Sequence, residues 1–516
     1  MKILDKATGP VTATWLVWAL LPLLVAPWLN PFTSGPNAAV LPFLCGWACT
    51  SVALLWWAAV PQTPQQRFRT VALAWLIAAS VSAVLGLLQY FDVSQQWGPW
   101  VNQPGPGEAF GNLRQRNQFA TLCSMGLASL GWWVYQPDSF ARKHRAGVLA
   151  AAALATVLVA AVAASGSRTG LLQIVVLAAL GVCWSRGAKG SSGPTWSGLL
   201  LFAAVLAVYV LAALALHHWA GVEHGALERW PESSAQCNSR LNLWRNVLYL
   251  IAQKPLWGWG WGELGYAHFI TLYDAPWAGL RFCELLDNAH NLPLQLAVEL
   301  GVPVALLLCG AVVAWVWCRR PLQEKSSERQ LAWAVLAVIG VHSLLEYPLW
   351  YAQFQVAALS CVWALYTLGH EPADENGLQA GANHWGLPAL VAGLLIALAC
   401  GVAGWAYWRV SQPYLPPEAR APQFRQQSWA QLREVCLFSS QVDFAQLAVT
   451  PVTPANAAYL QTLATDLLHF SAEPMVVQKL LQSAQLQGNA ADVAFYAPRF
   501  AAAYPAEYAN WAKTRP

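Results

Sequence analysis

The sequence predicts an all-α, polytopic membrane protein, and three observations predict it. The 516 residues are 57% hydrophobic and only 10% charged, whereas soluble domains carry about 25% charged residues. Many apolar runs reach the roughly 20 residues that a bilayer span needs; a β-barrel would show short alternating segments instead. Many of the 30 Trp sit near the ends of those runs, as in an interfacial aromatic belt. The lipid bilayer is therefore the first partner expected. The eleven Cys contain no CxxC pair and no Cys/His cluster, so no metal or redox cofactor is expected. Nothing points to nucleic acid.

In order, Lys2 and Lys6 precede a first apolar run with no small-residue cleavage site, which reads as a retained span rather than a signal peptide. The expected spans are Val11–Leu29, Ala38–Val60, Val71–Phe91, Asn117–Tyr135, Ala146–Ala164, Gly170–Trp184, Trp196–His217, Leu292–Cys318, Leu331–Leu345, Leu349–Leu368 and Leu387–Trp408. That is eleven, with room for a twelfth in the large loop. With the N-terminus inside, cytoplasmic segments hold thirteen Lys and Arg, while the short outer loops hold Arg114, Arg116 and Arg168. This bias places the long loop outside, in the periplasm of a Gram-negative cell. The odd span count places the tail there too. The division expected is 1–219, N-terminal spans; 220–291, large outer loop; 292–409, C-terminal spans; and 410–516, a small helical outer domain. The tail reads as amphipathic helices at Phe424–Phe438, Asn456–Phe470, Val476–Leu486 and Ala490–Tyr504, after a Pro-rich linker from Pro413 to Pro422.

The polar, Trp-rich stretch from Gly221 to Asn291 is where chemistry is expected, because long loops inside a compact fold are usually functional or disordered and its aromatic content argues against disorder. Arg240 and Arg245 sit five apart on an expected interfacial amphipathic helix with Leu241, Leu243, Val247, Leu248 and Leu250. Gly258, Gly260 and Gly262 alternate with Trp257, Trp259 and Trp261. Such glycines permit turns or close approach to a ligand, and the Trp faces suit sugar rings or lipid tails, or an interfacial belt. Cys237 and Cys283 would pair if this side is oxidising. In Asp287-Asn288-Ala289-His290-Asn291, His290 is placed as a general base and Asn291 as a helix cap.

Basic groups on the outer side oppose the usual bias. Gly111-Asn112-Leu113-Arg114-Gln115-Arg116-Asn117 leads into the fourth span, and Ser165-Gly166-Ser167-Arg168-Thr169-Gly170 is a tight turn between the fifth and sixth. Exposed amides, a helix N-terminus and a guanidinium together suit an anion; a headgroup anchor is the plain alternative. Glu346, four residues after His342, closes the ninth span. It is either a basic group's partner at the membrane edge or a water-facing helix end.

This ordered set, together with an Asn-Ser-Arg…Trp-Arg helix, a Lys-Pro…Gly-x-Gly-x-Gly loop and an Asn-Ala-His-Asn box, resembles the O-antigen ligase/polymerase superfamily. The stretch from His342 to Tyr351 (His-Ser-Leu-Leu-Glu-Tyr-Pro-Leu-Trp-Tyr), the Gly111–Asn117 loop and the helical tail look like the PglL-type protein O-oligosaccharyltransferases of that superfamily. The resemblance implies a GT-C-like bundle in the bacterial inner membrane with its site facing the periplasm. It implies transfer of a preassembled glycan from an undecaprenyl-diphosphate carrier to Ser/Thr of a periplasmic, pilin-like acceptor protein, without a metal. Arg168, Arg240 and Arg245 would hold the diphosphate and His290 would take the acceptor's proton. Arg114, Arg116, Asn117, Glu346 and Tyr347 would support the site or the acceptor. A ligase with lipid A core as acceptor, a glycan polymerase and, more distantly, a lipid-linked oligosaccharide transporter are the other readings weighed.

Overall fold

The computed structural model describes residues 10–60, 62–187, 196–220, 237–274, 278–368, 386–426, 429–434 and 437–513. Lys2, Lys6, Lys189, the first part of the large loop (221–236) and a few positions of the first expected tail helix lie outside them. Among the described residues every regular element is helical. The membrane series is α1 (Pro10–Leu29), α2 (Val40–Ala59), α3 (Pro64–Tyr90), α4 (Arg116–Tyr135), α5 (Arg145–Ala164), α6 (Arg168–Gly187) and α7 (Trp196–Ala220). The large loop holds α8 (Arg240–Gln253) and α9 (Leu264–Ile270). Then come α10 (Leu292–Leu300), α11 (Val302–Arg319), α12 (Ser327–Ser343), α13 (Ala352–Thr367) and α14 (Gly386–Ser411). The tail contains α15 (Trp429–Arg433), α16 (Ser439–Val449), α17 (Ala457–Leu467), α18 (Pro474–Leu486), α19 (Ala490–Ala503) and α20 (Pro505–Lys513).

All eleven expected spans fall on helices. Among the described residues, six helices are long and apolar enough to cross a membrane by length and composition: α2, α3, α5, α6, α11 and α14. The eighth expected span is two helices, because Gly301 breaks it with a φ of 88°. The first expected tail helix is replaced by a short turn at Pro422–Phe424 and the five-residue α15. Phe438 takes a left-handed φ of 64°, which no α-helix of L-residues runs through, so the chain restarts there as α16.

The chain forms two compact units. The first comprises Met1–Trp230 and Val316–Val402, and the second Pro231–Trp315 and Ala403–Pro516. In the first, α3 opens on a reciprocal cap: Gln66 N donates to Thr63 Oγ1 at 3.2 Å and Thr63 N to Gln66 Oε1 at 3.0 Å, with Pro64 in the first turn. It is buried along its length through Phe68, Trp75, Ala78 and Ala83. In the second unit, Leu460, Val476, Leu480 and Phe500 of the tail share one core with Phe269 of α9. Arg499 Nε donates to the Ile270 carbonyl at 2.7 Å, so the tail is built around a helix of the large loop.

Candidate active site

In the first unit the outer loop before α4 is pinned by buried side chains. Gln89, buried on α3, accepts from Gly111 N at 2.7 Å and donates to the Gly111 carbonyl at 2.8 Å. Asn112 Nδ2 donates to the Leu29 carbonyl at 2.7 Å. Arg114, with φ of 60°, donates to the Asn30 carbonyl at 3.3 Å, and burial lowers its pKa. Arg116 forms a part-exposed ion pair with Glu108 at 3.0 Å.

Asn117, in the first turn of α4, is the hub. Its Nδ2 donates to Glu346 Oε1 at 2.8 Å and its Oδ1 accepts from Ser167 Oγ at 2.6 Å. Its own carbonyl accepts from Thr121 Oγ1 at 2.7 Å. Gln173 Nε2 donates to Thr121 Oγ1 at 2.8 Å, and His342 Nδ1 lies 2.9 Å from the same hydroxyl. A hydroxyl has one proton and two lone pairs. With that proton on the Asn117 carbonyl, Thr121 accepts from both Gln173 and His342, so His342 Nδ1 is the donor of that bond. Ser124 Oγ donates to Gln173 Oε1 at 3.2 Å. The whole network is buried, Glu346 being 3% exposed. Buried polar groups need such partners, and their removal costs about 1–3 kcal/mol each.

The network fixes the turn that carries Arg168. Gly166 takes φ of 63°, a value favourable to glycine, and reverses the chain between α5 and α6. Ser167 Oγ caps α6 by accepting from Gly170 N at 3.0 Å. Arg168 therefore occupies the first turn of a helix, exposed while Ser167 and Thr169 on either side are buried. Tyr347 stacks on Tyr351 with centroids 6.0 Å apart.

In the second unit, α8 forms where an amphipathic helix was expected. Leu243, Val247 and Leu250 are buried, and Leu241 and Leu248 are exposed; Ser239 caps it through Asn242 N. Arg240 opens its first turn, and Arg245 lies half-buried farther along. Trp244 Nε1 donates to the Ala289 carbonyl at 3.0 Å. Ala289 N donates to Gln295 Oε1 at 2.6 Å, and His290 N to Asn288 Oδ1 at 2.8 Å. These bonds hold His290 at a φ of 49°, a conformation uncommon outside glycine. Asn291 caps α10 by accepting from Leu294 N at 3.0 Å. Burial first, and the Arg240 charge second, push the His290 imidazole down to about 4, so it is neutral at physiological pH. Arg240 and His290 thus belong to one electrostatic site.

Cys237 and Cys283 are joined in a disulfide with Cα atoms 5.5 Å apart, which ties the start of α8 to the chain leading into His290. His268, which is buried, is occupied by the Tyr273 hydroxyl at 2.7 Å and the Phe282 carbonyl at 3.1 Å. The glycines of the Trp-Gly loop meet backbone rather than open space. Trp259 N donates to the Val298 carbonyl at 2.8 Å and Gly260 N to that of Glu299 at 2.9 Å. A Cβ on Gly258 or Gly301 would collide with the carbonyls of Glu299 and Leu256 respectively. The loop thus docks on the break between α10 and α11, leaving Trp257 and Trp261 86% and 66% exposed. Among the described residues no three His, Cys, Asp or Glu side chains gather as a metal site requires.

Family models match along most of the chain. The model described as "Protein glycosylation ligase" matches residues 109–134 and the one described as "O-Antigen ligase" matches 150–309. "Virulence factor membrane-bound polymerase, C-terminal" matches 330–516. Two proteins of Acinetobacter baylyi are similar to it. A general O-oligosaccharyltransferase is 29% identical over 123 residues, and a ComP-specific O-oligosaccharyltransferase is 22% identical over 288. Together these matches make the chain similar to the PglL-type proteins of the O-antigen ligase superfamily. The matched segments cover 24% and 56% of this chain, and 21% and 49% of those two relatives. No solved structure matches significantly. The glycosylation-ligase match spans Asn117 and its loop, and the O-antigen ligase match spans Arg168, Arg240, Arg245 and His290.

Sequence reasoning missed Gln89, Thr121, Gln173 and Gln295 as organisers of the site. A signal for three of them was present: Gln89, Thr121 and Gln173 interrupt apolar runs, and polar residues inside membrane helices are seldom idle.

Proposed function

We propose that this protein transfers a preassembled oligosaccharide en bloc from undecaprenyl diphosphate to Ser/Thr hydroxyls of acceptor proteins outside the bacterial inner membrane, pilin-like proteins among them. The observation that carries the reading is the pairing of a neutral, desolvated His290 with Arg240. A proton acceptor beside a cation is what glycosyl transfer to a hydroxyl requires when the leaving group is an anion. His290 takes the acceptor's hydroxyl proton as that oxygen bonds to the anomeric carbon. The carbon–oxygen bond to the carrier breaks, and the diphosphate leaves with the electron pair. Arg168, Arg240 and Arg245 stabilise that developing charge, and electrostatic stabilisation of this kind usually contributes more to catalysis than any other effect. Bound diphosphate offsets the Arg240 charge, so His290 becomes more basic when the donor is in place. Arg116, Asn117, Glu346 and Tyr347 support the site or the acceptor. The disulfide supports an oxidising, periplasmic location for the loop, as does the arginine and lysine bias. Both relatives named above support a protein acceptor; the O-antigen ligase model supports a second reading with lipid A core as acceptor.

The test is a host that supplies lipid-linked glycan and a pilin-like acceptor, with wild type, His290→Ala and Arg168→Ala compared by acceptor mass. Glycan on Ser/Thr with wild type alone is expected. Glycan on lipid A core instead would move the assignment to the ligase. Full activity of His290→Ala would refute the general-base role.

A further inference from the structure

The first unit also contains a cavity of about 390 Å³ that the proposed transfer does not use. It lies among α1, α2, α3, α13 and α14 and is walled mainly by apolar and aromatic side chains, including Trp28, Trp47, Phe68, Trp75 and Trp363. Along α2 it runs from Gly46 to Trp57, roughly 17 Å at 1.5 Å per residue. One leaflet of the hydrocarbon core is about 15 Å deep, so the cavity has the depth of one leaflet.

Its one charged lining residue, Arg67, sits at one end. Arg67, 6% exposed, lies on the wall in the first turns of α3, with Nη2 donating to the Trp57 carbonyl at 3.0 Å. Arg67 Nε and Trp57 Nε1 are buried without a hydrogen-bond partner, and both are donors. Among the described residues no carboxylate pairs with Arg67, and none lines the cavity. A buried guanidinium normally has an anion. By chain direction through α3 to α6, Arg67 is at the opposite end of the unit from Arg168. It is therefore not a contact of the proposed donor's diphosphate, and its end is the one richer in Lys and Arg.

We propose that this cavity is a structural site for an anionic glycerophospholipid of the cytoplasmic leaflet, with the phosphate on Arg67 and Trp57 Nε1 and one acyl chain in the aromatic channel. An anionic headgroup is favoured because, among the described residues, no carboxylate lines the cavity to pair with a headgroup amine. The site is independent of which acceptor the enzyme uses.

Native mass spectrometry of the purified full-length chain in detergent tests this, with phosphatidylglycerol, phosphatidylcholine and polyprenyl phosphate as probes. Wild type should retain one phosphatidylglycerol in preference to the other two. Arg67→Gln should weaken retention about tenfold, as the loss of a charge-assisted hydrogen bond would. Trp57→Phe, which removes only the indole N–H donor and keeps most of the wall, should weaken it less. It serves as the reading if Arg67→Gln fails to fold. Equal retention by wild type and both variants would overturn the proposal. So would preference for polyprenyl phosphate, or phosphatidylcholine held as well as phosphatidylglycerol.

Discussion

The two units hold their candidate site residues on opposite plans. In the first unit, side chains hold side chains: Asn117 bridges Glu346 and Ser167, and Thr121 bridges Gln173 and His342, all of them buried. In the second, what holds His290 is mostly backbone. Bonds to the amides of residues 289 and 290 and to the Ala289 carbonyl fix the chain around the imidazole. A network of the first kind fails structurally when one member is removed, because it leaves buried groups without partners. A site of the second kind can lose its functional side chain and keep its shape.

The largest expected effects separate these two plans. His290→Asn removes the proton acceptor but suits the left-handed backbone, since Asn adopts positive φ more readily than most residues. The proposed transfer should fall by about 10²–10⁴ while the melting temperature in detergent stays at the wild-type value. Asn117→Leu should do both kinds of damage. It leaves Glu346 and Ser167 without this buried partner, at about 1–3 kcal/mol for each, and should lower the melting temperature along with the rate. If His290→Asn unfolds the protein, or Asn117→Leu leaves its stability intact, the contrast between the plans is wrong.

Next in size is the disulfide. Cys237→Ser releases a cross-link across 46 residues, worth about 2–4 kcal/mol in typical cases. Thermal melting should show the loss, and reductant on the wild type should reproduce it. The effect should fall on the second unit, detected as faster proteolysis around residues 237–290, while segments of the first unit stay protected. Equal loss of protection in both units would mean that they melt together.

How much of this was legible in the sequence follows from what kind of signal each feature leaves. Spans are written in local apolar length, so all eleven fell on helices. Caps are local too, and Asn291 was readable because Asn is a favoured cap residue directly before an apolar run. The break at Gly301 was not readable, since its cause is the docking of a loop some forty residues earlier against its backbone. The same docking explains why glycines expected to approach a ligand approach a peptide instead. Phe438 stopped the first tail helix through a backbone conformation that its side chain gives no hint of. The basic residues and His290 stood out because their chemistry conflicts with their surroundings. Gln89 and Gln173 do the same inside apolar runs but carry no charge, so they passed as ordinary span residues.

A smaller effect concerns pH. The His290 imidazole lies at about 4, below the ordinary value near 6.5. Below 6.5 the unfolded chain takes up a proton that the folded site does not, so this group removes stability as pH falls from 6.5 toward 4. Activity that needs neutral His290 should persist to acid pH, with the acid limb of kcat/KM near 4. Arg240→Gln removes the second cause of the depression and leaves burial, the first. The limb should move upward by only part of the gap to 6.5, in addition to any loss of rate. An unmoved limb would assign the titration to another group.

The smallest effect is the sharpest test, because it sits one residue from the hub. Arg116 and Asn117 are adjacent, yet Arg116 pairs with Glu108 at 3.0 Å with side chains 40% and 33% exposed, while Asn117 is buried between Glu346 and Ser167. Exposed ion pairs contribute about 0–1 kcal/mol, so Glu108→Gln should barely change the melting temperature. Its effect, if Arg116 serves the acceptor side, should appear in the acceptor KM and depend on salt, since exposed charges are screened within about 8–10 Å at ordinary ionic strength. A destabilisation comparable to Asn117→Leu would show that the buried network extends through Arg116 to Glu108, and the boundary between held and holding residues would have to be moved outward by a turn of α4.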